Sequence, residues 1–147
     1  SPAHPPSPSL GSAAVRGGRD KFFRNEDFEF LTELAIGATY HRGADVGECL
    51  TTVARIHDGD AESWYVEWKA TADRVAGIAR ACEDAGHLVS ARWTWLRAAT
   101  YYDTATFFLD ATKQPERFRP TWELHRSAWE GFVRCSGGQI ERVAIPY

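Results

Sequence analysis

Between Gly43 and Leu109, apolar residues recur every three or four positions in three successive segments. This spacing predicts three α-helices, each with an apolar side that another element must cover. The clearest segment begins after Asp60, a residue type favoured as an N-cap, and ends at Gly86, which can adopt the left-handed conformation that stops a helix. Its apolar stripe consists of Trp64, Trp68, Ala72, Val75, Ala79 and Cys82.

Two shorter helices are predicted before this segment. Asn25 is a suitable N-cap for a first helix that runs from Glu26 to about Tyr40. Asp45 and Glu48 have the spacing of a capping box, in which each side chain satisfies a backbone N–H of the first turn of a second helix.

The fourth predicted helix, over residues 88–111, is apolar around most of its circumference. A helix of this kind must be covered on several sides. It is therefore either the centre of this helical module or is covered by polypeptide outside the chain. Pro115 and Pro120 set the start of a fifth helix, in which Trp122, His125, Trp129 and Phe132 are spaced as on one helical side.

The residues after Gly138 change period and predict a β-strand. Val143, Ile145 and Tyr147 alternate with Arg142, Ala144 and Pro146. A strand without a partner is not stable in water, so its partner is expected beyond residue 147. The predicted fold is mainly α: a Pro/Gly-rich disordered tail at 1–21, an antiparallel bundle of about five helices at 22–136, and a linker with the first strand of another domain at 137–147.

Composition excludes several classes of protein. The formal net charge of −3 provides no basic surface for nucleic acid, and no run of residues is apolar enough for a membrane span. Cys49, Cys82 and Cys135 lack the spacing of a zinc site or a redox pair, which favours free thiols and a cytoplasmic location. Methionine is absent, so we interpret the chain as a processed product or a segment of a longer one.

No motif for catalysis or cofactor binding is found. The chain has no G-x-S-x-G, no G-x-G-x-x-G, no G-x-x-x-x-G-K-[ST] and no H-E-x-x-H. None of the five histidines has another histidine three or four positions away, so no metal site is predicted from spacing. We therefore predict no catalytic residue, no metal and no cofactor within these 147 residues.

One group of side chains suggests a binding pocket. Tyrosine and tryptophan combine a large apolar surface with one polar group, a combination that suits pockets for aromatic or acyl ligands as well as an ordinary core. Arg92, one turn before Leu96, is the natural polar partner in such a pocket. The aromatic candidates are Tyr40, Trp64, Trp68, Trp95, Tyr101 and Tyr102.

Four stretches of sequence carry a family resemblance: GADVGECL, DGDAESWYVEW, GHLVSAR and LRAATYY. They resemble the N-terminal helical region of α/β-hydrolases related to fermentation–respiration switch esterases, 2,6-dihydroxypseudooxynicotine hydrolases and fungal polyketide-shortening hydrolases. The resemblance covers about residues 22–147, and its terminal ERVAIPY is similar to the first strand of the hydrolase sheet.

This resemblance implies that the complete protein is a serine-type hydrolase that cleaves an ester or a carbon–carbon bond next to a ketone. In that family the Ser–His–Asp triad lies in a C-terminal α/β domain, which these residues do not include. The helical region would act as a lid that supplies apolar walls to the substrate pocket and a surface for a homodimer.

Two other functions are compatible with a helical module. The first is a self-standing interaction module similar to a tetratricopeptide array, although no repeat of ~34 residues is visible. The second is a small protein that binds an aromatic ligand through the tyrosine and tryptophan group.

Overall fold

The computed structural model describes residues 20–146, and most of the predicted disordered tail and Tyr147 lie outside this range. The described residues are mainly helical, as predicted, and contain five α-helices and three short 3-10 helices. The α-helices are α1 (Glu26–Gly37), α2 (Val46–Val53), α3 (Ala61–Asp84), α4 (Leu88–Thr106) and α5 (Phe118–Arg134). The 3-10 helices are Ala38–His41, Leu109–Ala111 and Pro115–Arg117.

Both ends of α3 form as the sequence predicts. The Asp60 side chain accepts hydrogen bonds from the backbone N–H groups of Glu62 and Ser63, at 3.0 and 3.3 Å. Gly86 adopts a φ of 77°, and the N–H of His87 donates to the carbonyl of Cys82 at 2.9 Å. This left-handed stop turns the chain directly into α4, so that α3 and α4 form an antiparallel hairpin.

The core is centred on the predicted apolar stripe of α3. Its members Trp64, Trp68, Ala72, Val75 and Ala79 are fully buried. The Trp64 ring lies 4.8 Å from the ring of Phe28 in α1 and 5.1 Å from that of Phe108, centroid to centroid. Its indole N–H donates to the carbonyl of Thr104 at 2.8 Å. A single side chain therefore joins α1, α3 and the end of α4.

The helix that is apolar all round, α4, is the centre of the module. It packs against α3 on one side and α5 on the other. The Trp95 ring contacts the backbone at Gly131, and the Ala99 carbonyl lies 2.8 Å from the His125 ring, so α5 runs antiparallel to α4. The sequence left two explanations for this apolar surface: a central position in the module, or a cover from polypeptide outside the chain. Helices α3 and α5 of the chain itself cover most of it.

The capping box of α2 includes a residue from another helix. Asp45 accepts a hydrogen bond from the N–H of Glu48 at 2.9 Å, as predicted. The return bond is different, because the Asp45 N–H donates to the Tyr101 hydroxyl, which in turn donates to the Glu48 carboxylate, each at 2.8 Å. Arg97 also donates to that carboxylate at 3.1 Å, so the start of α2 is tied to α4.

Two predicted helix ends were too long. The first helix stops at Gly37 and continues as a 3-10 turn to His41, and α4 stops at Thr106 instead of Ala111. The 3-10 turn after α1 is followed by Arg42, which has a φ of 64°. Among residues 20–146, Arg42 is the one non-glycine residue with a positive φ. The sequence did not predict this left-handed residue, because arginine is not favoured there.

The predicted terminal strand is not found among the described residues. Residues 141–146 form no regular structure, and no strand is present at 20–146 to pair with them. The side chains of Val143 and Ile145 are 72% and 77% exposed. A strand is defined by its hydrogen-bonded partner, and no partner lies within this range.

Candidate functional site

The outer side of α5 exposes three large aromatic residues, which we call the aromatic face. Phe118, Trp122 and Trp129 are 49%, 39% and 44% exposed. The Phe118 and Trp122 rings are stacked, with centroids 6.0 Å apart and an angle of 9° between the planes. Exposed apolar patches of this kind are common at sites where another domain, partner or ligand binds.

A groove of about 420 Å³ continues the aromatic face toward the end of the chain. Trp129 and Val133 of α5 form one wall, and Ile140 in the segment after the helix forms the other. Arg142 donates to Glu130 at 3.3 Å and so holds this segment along α5. Charged residues line the groove together with the apolar ones, a combination that ligand sites commonly show.

His125 and Asp103 provide polar groups beside the aromatic face. The His125 ring packs on Trp122, with centroids 4.7 Å apart, and its Nδ1 lies 2.8 Å from the Ala99 carbonyl. Because a carbonyl only accepts, Nδ1 carries the proton and Nε2 is the acceptor of the neutral ring. Burial raises the pKa of Asp103, and the nearby His125 opposes this shift.

Glu83 of α3 fixes the position of α5. Its carboxylate accepts two hydrogen bonds from Arg134, at 2.6 and 2.9 Å, and one from the Trp95 indole N–H at 2.9 Å. The Arg134 hydrogen bonds are the main reason why the pKa of Glu83 falls from 4.5 to about 2. This carboxylate therefore joins three helices through charge-assisted bonds.

Stability is expected to decrease as the pH falls from about 4.5 toward 2. A carboxyl group whose pKa is lower in the folded state stabilises the fold above its unfolded pKa, and this contribution is lost on protonation. Glu83→Gln should lower the free energy of unfolding at pH 7 by about 1–3 kcal/mol and flatten its dependence on pH in this window. Urea unfolding at several pH values measures both effects.

Glu123→Gln is the matched control, because Glu123 makes an exposed pair with Arg119 at 3.4 Å. Exposed pairs of this kind contribute little to stability. An unfolding free energy that depends equally on pH in Glu83→Gln and in the unmutated chain would contradict the role assigned to Glu83.

Five of the seven side chains predicted to line a pocket are buried in the core: Trp64, Trp68, Trp95, Tyr101 and Tyr102. Tyr40 is 97% exposed, apart from the others. Arg92 is half-buried, its guanidinium 4.5 Å from the Trp93 ring centroid. The structure thus brings together Trp64, Trp68 and Tyr101 and separates Tyr40 from them. Their role in binding a substrate stays a prediction.

The buried tyrosine hydroxyls are engaged in bonds within the fold. Tyr101 bridges Asp45 and Glu48, and Tyr102 donates to the Asp73 carboxylate at 2.7 Å. Burial, as the largest cause, raises the pKa of both tyrosines, and it raises the pKa of the Cys49 thiol to about 11. These groups therefore stay protonated at neutral pH, and the two hydroxyls join helices through hydrogen bonds.

The sequence spacing places Trp122 and Trp129 on one side of the fifth helix but does not show that this side is exposed. The signal was present, because α5 carries two adjacent apolar stripes. Thr121, Ala128 and Phe132 form the stripe that is buried, and Phe118, Trp122 and Trp129 form the one that is exposed. The exposed stripe is therefore free to contact another protein surface or a ligand.

Ser63, His57 and Asp60 lie together but do not form a catalytic triad. Ser63 accepts a hydrogen bond from the backbone N–H of His57 at 2.9 Å, not from its ring. The His57 ring lies 3.9 Å from the Asp60 carboxylate, and its side chain is largely exposed. The three residues form the turn and cap of α3. Within residues 20–146, no group of metal-ligating side chains that could hold an ion is found.

Several known proteins are similar to this chain in sequence. The chain is 32% identical over 127 residues to the 20-hydroxy-prefusarin hydrolase FUS2 of Gibberella moniliformis. It is 35% identical over 121 residues to the hydrolase LUC6 of a Fusarium species, and 36% identical over 123 residues to the alpha/beta hydrolase psoB of Aspergillus fumigatus. Over the aligned residues the chain is therefore homologous to fungal proteins named as hydrolases and α/β-hydrolases.

The alignments cover 82–86% of this chain but only 27–30% of the three relatives. The chain thus spans less than a third of the length of these hydrolases. No protein-family profile and no solved structure matches it. None of the helices in the described residues is both long and apolar enough to cross a lipid bilayer.

Proposed function

We propose that this chain is the helical lid segment of a serine-type α/β-hydrolase and that its aromatic face covers the active site of the catalytic domain. In this proposal residues 22–136 are the lid, and residues 137–147 are the linker and the first strand of the hydrolase sheet. The observation that carries the proposal is the exposed aromatic face in a chain whose relatives are hydrolases of greater length.

The course of the chain after α5 supports this assignment. Residues 139–142 run beside the helix, where Ile140 lines the groove and Arg142 binds Glu130. In this proposal the catalytic domain follows residue 147 and would be attached next to Trp129. Val143 and Ile145 expose their side chains in this segment, so they are available to pack in a sheet. The point of attachment of the catalytic domain and the aromatic face would thus lie on the same side of the module.

The chemistry would be divided between the two domains. The catalytic domain would supply the serine nucleophile, the histidine base and the donors that stabilise the oxyanion. The lid would exclude water and provide an apolar wall for the acyl part of an ester or for a ketone. Water is added across the bond that is cleaved. A cytoplasmic location and a homodimer of the complete protein belong to the same proposal.

We expect no ester hydrolysis by the 147-residue chain alone, and hydrolysis by a version extended through the downstream coding sequence. The extension should contain a G-x-S-x-G motif, and replacing its serine by alanine should abolish turnover. A chromogenic ester measures the rate. Trp129→Glu in the extended protein should reduce kcat/KM at least tenfold, because it places a charge in the contact between the domains.

Val89→Glu is the matched control, since Val89 is an exposed apolar residue at the start of α4, outside the aromatic face. It should leave kcat/KM within about twofold of the unmutated enzyme. A reading frame that stops without a hydrolase domain would refute the proposal, as would serine-dependent turnover by the 147-residue chain.

A further inference from the structure

Two arginines share one tryptophan ring beside the aromatic face. The guanidinium carbon of Arg42 lies 4.8 Å from the Trp93 ring centroid, and that of Arg92 lies 4.5 Å from it. Arg92 is also 5.5 Å from the Phe132 ring. We call Arg42, Arg92, Trp93 and Phe132 the arginine–tryptophan cluster. Because Phe132 packs on Trp129 at 5.2 Å, the cluster continues the aromatic face.

Neither arginine of the cluster has a carboxylate partner among residues 20–146. Arg92 donates to the neutral side chain of Gln139 at 2.9 Å, and Arg42 makes no ion pair in this range. Most other arginines of the described chain do pair with an acid, including Arg97, Arg117 and Arg134. The cluster thus concentrates two positive charges on one ring without a described counter-charge.

The protein maintains this arrangement at an energetic cost. Arg42 occupies the left-handed conformation that usually selects glycine, at a φ of 64°. The Nε atom of Arg92 is buried and has no hydrogen-bond partner in the described residues. Strained backbone and unsatisfied buried donors are uncommon and concentrate at functional sites. These two observations are independent of the ring contacts.

We propose that the arginine–tryptophan cluster binds a carboxylate attached to a planar unsaturated skeleton. Two guanidinium groups, held against Trp93, would bind the carboxylate by charge-assisted hydrogen bonds, and the exposed rings of the adjoining aromatic face would stack on the conjugated chain or ring. The assignment of this ligand as substrate rests on the proposed function, since the cluster adjoins the surface that would cover the active site. Binding itself needs only residues of this chain.

Binding is tested on the 147-residue chain by NMR titration with sodium cinnamate and with cinnamamide, its uncharged analogue. We expect saturable shifts of the Trp93 indole signal with cinnamate and at least tenfold weaker binding of the amide. Arg42→Gln and Arg92→Gln should each weaken cinnamate binding at least tenfold. Arg119→Gln, at an exposed pair outside the cluster, should not change it.

A second variant separates binding from folding. Arg42→Gly relieves the left-handed strain while it removes the guanidinium, so its thermal midpoint should stay close to that of the unmutated chain although cinnamate binding is lost. Equal binding of cinnamate and cinnamamide, or unchanged affinity in both glutamine variants, would overturn the inference. Because no hydrolysis is measured, an extended protein without esterase activity would refute the proposed function and leave this result intact.

Discussion

Replacing Trp64 by alanine is expected to lower the free energy of unfolding by about 3–5 kcal/mol, the usual cost of truncating a buried tryptophan. The side chain is fully buried and contacts the rings of Phe28, Trp68 and Phe108. Domains of this size are stable by only about 5–15 kcal/mol, so this variant would lose a large part of its stability. Urea unfolding followed by far-UV circular dichroism measures the change.

A matched pair of phenylalanine variants isolates one hydrogen bond in this effect. Trp64 and Trp68 are equally buried, but only the Trp64 indole N–H has a partner in the described fold, the carbonyl of Thr104. Trp64→Phe should therefore cost about 1 kcal/mol more than Trp68→Phe. Equal losses would show that the bond does not contribute, and a loss below 1 kcal/mol for Trp64→Ala would contradict the position of Trp64 in the core.

Gly131→Ala is the second substitution with a large expected effect. A Cβ atom at this position would lie 2.7–2.8 Å from atoms of the Trp95 indole ring. The ring cannot move freely, because its N–H donates to Glu83 and α4 packs around it. Overpacking of this kind should destabilise the chain by about 1–3 kcal/mol or more, measured as a lower urea midpoint.

Gly77→Ala is the control and should change stability in the opposite direction. Gly77 lies within α3, and a Cβ atom there would meet nothing within 4 Å. Alanine is favoured over glycine inside a helix by up to about 1 kcal/mol, so this variant should be slightly more stable than the unmutated chain. A Gly131→Ala variant that behaves like Gly77→Ala would show that α4 and α5 do not approach this closely.

Local sequence signals predicted the helices well where the deciding interactions lie within one turn. Asp60 and Gly86 determine the ends of α3 through bonds to neighbouring backbone groups, and Asn25 caps α1 by accepting from the N–H of Phe28. The same reasoning failed at Thr106 and at Arg42. At Arg42 a residue that does not favour the left-handed conformation adopts it.

The candidate site was less predictable because it depends on which apolar residues remain uncovered. Six of the seven predicted pocket residues are aromatic, and five of these fill the core between helices. Composition alone does not distinguish a tryptophan that is buried in the core from one that stays exposed on the surface. Trp64 and Trp129 have the same chemistry, yet one is fully buried and the other is 44% exposed.

The sequence by itself determined that this protein is a set of amphipathic helices with capped ends and carries the pattern of an α/β-hydrolase segment. Helical period and capping act over a few residues, so they can be recognised without a fold. The tertiary structure alone decided that α4 is covered on both sides, that Tyr101 completes the cap of α2, that the aromatic face remains exposed, and that Arg42 and Arg92 meet on the Trp93 ring. These features join residues far apart in the chain, and only packing brings such residues into contact.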